Sequence, residues 1–219
     1  MGLKVELMDS MGDDLTIVNA ARVSFGKQKT NFDGGDEKLI GYLAEHNHWS
    51  PFAHGSLQFH IKAPIFVARQ LVKHQVGLVW NEISRRYVDT EPEFYEVDKW
   101  RGKPIDKKQG SDGEFDQQRL CDLAQGRVED TALEAYQHLI QVGVAPEQAR
   151  MLLPQSLMTE WWWSGTLYAF ARVCNLRCAE DAQYETRLVA NKIDKKCKKA
   201  FPISWKKLRT WVGTDTLNT

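Results

Sequence analysis

The chain opens with LKVELM (residues 3–8), a short apolar–polar run that predicts a first strand. The segment AARVSFG follows, then a turn-prone polar stretch up to Gly35. Over residues 36–46 (DEKLIGYLAEH), Leu39, Ile40 and Leu43 recur on one face, which predicts a helix. The loop HNHWSPF is punctuated by Pro51, and residues 55–62 then alternate, with Leu57, Phe59 and Ile61 on one side of a half-buried strand. Pro64 stands where a proline opens a helix, and IFVARQLVKHQV is expected to continue it as far as Gly77. On such a helix Arg69 and Lys73 lie one turn apart, as do Gln70 and His74, so that cations and an amide–imidazole pair form adjacent stripes. Residues 89–116 are polar, rich in Gly and Lys and poor in aliphatics; they predict a long surface excursion held by a few aromatic anchors. Helix is expected at 117–142, 146–151, 156–173 and 179–199, with a break at Gly143 and a last short helix after Pro202. A small sheet with several long helices is an α+β arrangement, here a single domain over residues 1–219 with its excursion at about 89–116.

Composition supports a folded domain: 42% of the 219 residues are apolar and eight are tryptophan. Twenty-nine basic residues balance 29 acidic ones, which disfavours a protein that coats nucleic acid by bulk electrostatics. The charge is nonetheless uneven. Residues 89–134 hold thirteen Asp/Glu against seven Lys/Arg, and residues 177–209 hold ten Lys/Arg against four Asp/Glu. The basic run at Lys192, Lys195, Lys196, Lys198 and Lys199 fits the wet face of an amphipathic helix. Together with Trp161–Trp163 it leaves open a rival reading, a nucleic-acid-binding module that stacks bases on aromatics. Three consecutive tryptophans on a helix point in different directions, however, which suits a buried helix junction better.

Cys121, Cys174, Cys178 and Cys197 show no CxxC spacing, and no histidine pair completes a zinc site with Cys174 and Cys178. His46, His48, His54 and His60 have no carboxylate or thiolate partner nearby in sequence, so no metal site is expected. No charged-then-apolar leader is visible, and no apolar run approaches the roughly 18 residues that span a bilayer. A reduced, cytoplasmic protein without nucleic-acid or membrane partners is expected.

Candidate chemistry concentrates in residues 69–87, RQLVKHQVGLVWNEISRRY. Arg69, Lys73, His74, Arg85 and Arg86 stand there with Gln70, Gln75, Asn81, Glu82 and Ser84 among apolar residues. Polar groups this dense in a partly buried segment each need a partner, which a bound anion or heterocycle can supply. A half-buried helix with solvated cations is the plainer alternative.

The order of these residues resembles the signature of the flavin-dependent thymidylate synthase (ThyX) family. That signature has an RQ pair, an Arg-His-Arg triplet, then Asn-Glu-x-Ser-x-Arg-Tyr. Arg69-Gln70 and Asn81 to Tyr87 match; the triplet is Lys73-His74-Gln75, and one extra residue lies between His74 and Asn81. Residues 46–54 (HNHWSPFAH), 144–154 (VAPEQARMLLP) and 175–187 (NLRCAEDAQYETR) resemble further family segments in the same order, so that the likeness covers roughly residues 19–202.

The resemblance implies reductive methylation of dUMP to dTMP, with methylenetetrahydrofolate as carbon donor, FAD as redox carrier and NADPH as reductant, in a homotetramer whose active sites lie between subunits. It implies that Arg177 is the catalytic cation beside the pyrimidine, with an intrahelical pair to Glu180 or Asp181 as the alternative. It carries Gln70, Lys73, Glu82, Ser84, Arg85, Arg86, Arg150 and Arg177 over as dUMP-binding positions. Arg86 and Arg150 suit a phosphate, although Arg150 lies three residues after Glu147 and a helical salt bridge would also account for it. For FAD it implies His48, Ser50, Lys73, His74, Gln75 and Glu82. The family's Asn-x-Arg is Thr166-Leu167-Tyr168 here, and its following His or Asn is Arg172, which implies rearranged flavin contacts. No cysteine stands in the Pro-Cys-His setting of the other thymidylate synthases, so no cysteine nucleophile is implied.

Overall fold

The computed structural model describes residues 2–88, 90–105 and 109–210. The alternating segments near the N-terminus form β1 (Lys4–Met11) and β2 (Ser56–Pro64), and β3 (Leu78–Glu82) comes next. β4 (Arg101–Gly102) and β5 (Asp112–Glu114) pair only with each other, while β6 (Met158–Thr166) completes an antiparallel sheet ordered β1–β2–β6–β3. The helices are α1 (Asp14–Arg22), α2 (Gly34–Glu45), α3 (Ile65–Leu71), α4 (Gln118–Gln141), α5 (Pro146–Ala149), α6 (Leu167–Arg177), α7 (Tyr184–Ala200) and α8 (Pro202–Thr210). The architecture is α+β, as expected.

The expected helix at 156–173 is instead a strand followed by a helix. Trp161, Trp162 and Trp163 alternate across β6: Trp161 and Trp163 are buried, and Trp162 remains 42% exposed. Trp161 stacks on Trp80 of β3 with centroids 4.4 Å apart, and Trp163 meets Phe170 of α6 edge-on at 5.3 Å. Burying each such ring contributes roughly 1.5–3 kcal/mol, which favours the extended form over a helix that would expose one of the buried pair. The tryptophan run is thus neither a helix junction nor an open stacking platform. Only at Thr166 does the chain turn helical, where the threonine hydroxyl accepts from the Ala169 amide at 3.1 Å and caps α6.

The helix opened by Pro64 is also shorter than expected. It ends at Leu71, six residues before Gly77, so Lys73 and His74 lie in a turn and the adjacent stripes do not form. The start of β3 imposes that turn. Gly77 adopts φ +75°, and Leu78 must pair with Gly165, where a Cβ would collide with the Gly77 carbonyl oxygen. α1, to which the sequence pattern assigned no element, is fixed by a capping box between Asp13 and Thr16.

The excursion is pinned rather than loose along its described parts. Phe94 bridges to Leu157, the Met158 amide donates to the Glu93 carbonyl at 2.7 Å, and Tyr95 is buried against the core. These contacts and the β3–β6 pairing set the two ends of the candidate site.

Candidate active site

The first end lies where β3 begins. Arg177 closes α6, where a cation complements the helix C-terminus. Its Nε donates to Nε2 of His74 at 3.0 Å, so Nε2 accepts and the imidazole proton sits on Nδ1. Burial, then the charges of Arg177 and Arg172, push the His74 pKa down to about 4. A neutral imidazole therefore steadies a guanidinium through its Nε edge. The expected alternative partners of Arg177, Glu180 and Asp181, do not hold it. At the other end of α6, where Ala169 lies against Gly77 at the start of β3, Tyr168 donates to Asn47 Oδ1 at 2.7 Å, and Asn47 takes φ 55°. Trp49 lies near the same tyrosine, with centroids 6.3 Å apart. His48, Ser50, Lys73, Gln75 and Arg172 are exposed around this end, and Thr166 is spent on capping α6.

Gln70 is held from the C-terminal half. Thr186 of α7 donates to its Oε1 at 3.2 Å, while its amide donates to Gln183 Oε1. Gln183 donates in turn to Glu185 at 3.2 Å, and the buried Glu185 carboxylate pairs with Arg101 of the excursion. Arg101 also lies over the Tyr184 ring, 4.3 Å from its centroid. The AQYE segment contains Gln183 and Glu185, yet nothing in the sequence pointed to Arg101 as their partner, because it comes from 84 residues away.

The other end lies where β3 finishes. Glu82 accepts from Thr159 at 2.7 Å and from the Trp80 indole at 3.1 Å. Glu82, Arg85, Arg150, Lys62 and Thr159 line a cavity of about 270 Å³. Arg85 donates to the Thr90 carbonyl, and Ser84 Oγ accepts from the Arg86 amide at 3.3 Å. Arg150 donates to the Glu147 carbonyl at 3.3 Å, a main-chain contact in place of the carboxylate pair considered from sequence. Thr159 is a polar lining residue that the sequence reading missed, since it was assigned to a helix.

Leu78 pairs with Gly165 and Glu82 with Trp161, so β3 separates the two ends by about 13 Å at ~3.3 Å per residue. One chain thus gathers Gln70, His74 and Arg177 at one end and Glu82, Arg85 and Arg150 at the other. The four histidines considered as metal ligands do not converge: among the described residues no three of them form a common site.

A family model described as thymidylate synthase complementing protein matches residues 6–203. The chain is 44% identical over 202 residues to a flavin-dependent thymidylate synthase of Thermus thermophilus, covering 92% of this chain and 73% of the relative. It is 38% identical over 217 residues to one from Kosmotoga olearia, covering 97% and 93%. Among solved structures, a UMP/dUMP methylase PolB from Streptomyces cacaoi bound with 5-Br dUMP superposes with TM-score 0.86 at 32% identity, covering 95% of each chain.

Proposed function

The chain belongs to the flavin-dependent thymidylate synthases and is an enzyme that methylates dUMP; from that premise we propose how its own residues divide the work. The observation that carries the assignment is the Arg177–His74 pair. With Nε committed to a neutral imidazole, the guanidinium plane is set and its terminal amines address the pyrimidine. A charge-assisted contact at the 3-position nitrogen stabilises negative charge on the ring by about 1.5–3 kcal/mol. Gln70 orients the base from the same side, steadied by Thr186 and Gln183.

Arg86 and Arg150 suit the phosphate because their planar forks pair with its oxygens. Lys73, Glu82, Ser84 and Arg85 complete the nucleotide contacts. Ser84 is a binding hydroxyl and no nucleophile, since its oxygen serves the Arg86 amide and no histidine activates it.

The first end fits a flavin, which we take to be FAD. Lys73, Gln75, Ser50 and Arg172 are exposed donors there, His48 and His74 add imidazoles, and Trp49 and Tyr168 supply aromatic surface. When bound, the flavin passes on reducing equivalents from NADPH, while methylenetetrahydrofolate supplies the carbon. The described residues contain no helix able to cross a membrane.

Two structural facts support a homotetramer whose active sites lie between subunits. The two halves of the nucleotide set stand about 13 Å apart along β3, and the cavity at the second end, about 270 Å³, falls at the small limit of ligand pockets. The purified protein should be yellow, or should quench the fluorescence of added FAD. NADPH should bleach the bound flavin without oxygen, and dTMP should form when dUMP and methylenetetrahydrofolate are present. A protein that binds no flavin at saturation would overturn the assignment.

A further inference from the structure

Away from the nucleotide residues, two helices bring a set of thiol and carboxylate groups together. Cys174 and Cys178 stand one turn apart at the end of α6, and Asp194 approaches from α7; their ligand atoms all lie within 4.8 Å of one another. Cys197 follows Asp194 by three residues on α7 and so shares its face. We propose that Cys174, Cys178 and Asp194, with Cys197 as fourth donor, form a site for one thiophilic divalent cation of the zinc class.

Four reasons favour a metal over a chance cluster. Zinc–thiolate bonds of ~2.3 Å place tetrahedral donors about 3.8 Å apart. Cys174, Cys178 and Asp194, all within 4.8 Å of one another, therefore need to close by only about 1 Å, while Cys197 lies outside that trio and must move toward it. The carboxylate is already oriented, since Asp194 Oδ1 accepts from Arg209 Nε at 2.7 Å and from Trp205 Nε1 at 3.2 Å, which leaves Oδ2 for the metal. Outer groups of this kind hold ligating carboxylates in place. The charge is partly offset: three thiolates and a carboxylate leave a zinc site at −2, which Arg209 reduces to −1. Finally, Cys174 and Cys197 are fully buried while Cys178 is partly exposed, which gives a dry site with an entrance. Thiols are the donors that select zinc over magnesium or calcium. On binding, the three thiols release their protons to solvent and nothing is oxidised. The site lay hidden in the sequence because its second half comes from a different helix.

The test uses full-length, flavin-loaded protein prepared under reducing conditions. Elemental analysis should find one zinc per chain. After chelation, cobalt(II) should bind one per chain with the intense bands of tetrahedral thiolate ligation at the red end of the visible spectrum, where oxidised flavin does not absorb. Cys178→Ser and Asp194→Asn should each weaken cobalt binding by about 100-fold or more, at or beyond the effect of losing an outer partner. Melting temperature separates binding from folding: in chelator, Cys178→Ser should melt with the wild type, and only the wild type should gain on adding zinc. Cobalt binding without thiolate bands, undiminished binding by Cys178→Ser, or a Cys174–Cys178 disulfide in the reduced preparation would each overturn the proposal.

Discussion

Arg101→Ala should be among the most damaging substitutions that touch no ligand. The Glu185 side chain is only 4% exposed and that of Arg101 23%, and Glu185 has one other side-chain donor, Gln183. Removing the guanidinium leaves a buried carboxylate with a single neutral hydrogen bond, a loss of about 3–5 kcal/mol. For a chain of this length each kcal/mol moves Tm by roughly 2–4 °C, so a fall of about 6–20 °C is expected. The neighbouring Lys99–Glu114 pair sets the contrast: it closes at 3.0 Å, but its side chains are 62% and 55% exposed. Lys99→Ala should therefore cost less than about 1 kcal/mol. Differential scanning calorimetry of the flavin-bound protein measures both. Adding Glu185→Gln to Arg101→Ala removes the stranded charge and should restore most of the loss, whereas a purely steric role for Arg101 would give no recovery. Because Gln183 also holds Gln70, Arg101→Ala should raise KM for dUMP more than it lowers kcat. A Tm within about 4 °C of wild type, taken as one kcal/mol at that scale, would refute the reasoning.

Arg177→Ala should slow dTMP formation at least about tenfold, the scale of one charge-assisted contact, while flavin remains bound; a variant of normal rate would remove its catalytic role. His74 has a folded pKa of about 4, below its ordinary 6.5. The stability its neutral form confers is thus complete above pH 6.5 and is lost as pH falls toward 4. Wild type should lose stability across that window more steeply than His74→Gln in denaturant titrations, and equal slopes would contradict the assignment. Sedimentation at assay concentration should show a tetramer, and an active monomer would refute shared sites. A variant with Cys121, Cys174, Cys178 and Cys197 all replaced by Ser or Ala should still form dTMP per folded, flavin-loaded molecule. Loss of activity that a single restored cysteine reverses would instead indicate a cysteine nucleophile.

Element type was legible wherever one face is buried and the other wet. Leu57, Phe59 and Ile61 declared β2, and Leu39, Ile40 and Leu43 declared α2, because a single period dominates each segment. It was illegible at β6 and α6, where an apolar strand runs into an apolar helix with no glycine or proline between them after Gly165. The available signal was the aromatic enrichment of Trp161–Trp163, which favours a pleated surface. The end of α3 was hidden for a different reason. Residues 72–76 continue the helical pattern of Phe66 to Leu71, yet the Gly77–Gly165 contact, 88 residues apart in sequence, overrides local propensity.

The same distinction governs the site. Residues 69–87 announced themselves through polar groups with no partners evident in sequence. Gln70, His74 and Glu82 find theirs in distant parts of the chain and Arg85 finds its own at the Thr90 carbonyl, while Lys73, Gln75 and Arg86 remain exposed. β3 is an edge strand with one unpaired rim. Around it Val76, Val79 and Tyr87 are 77%, 71% and 76% exposed, close to Lys73, Gln75 and Arg86, which are exposed as well. A monomer would leave this mixed apolar and cationic edge bare, at a cost in both solubility and unpaired backbone. Neighbouring copies and a bound nucleotide would cover the apolar residues and neutralise the cations together. A sequence can therefore name the residues of such a site before their full surroundings are known, because in the proposed tetramer the missing partners would come from another chain or from the ligand.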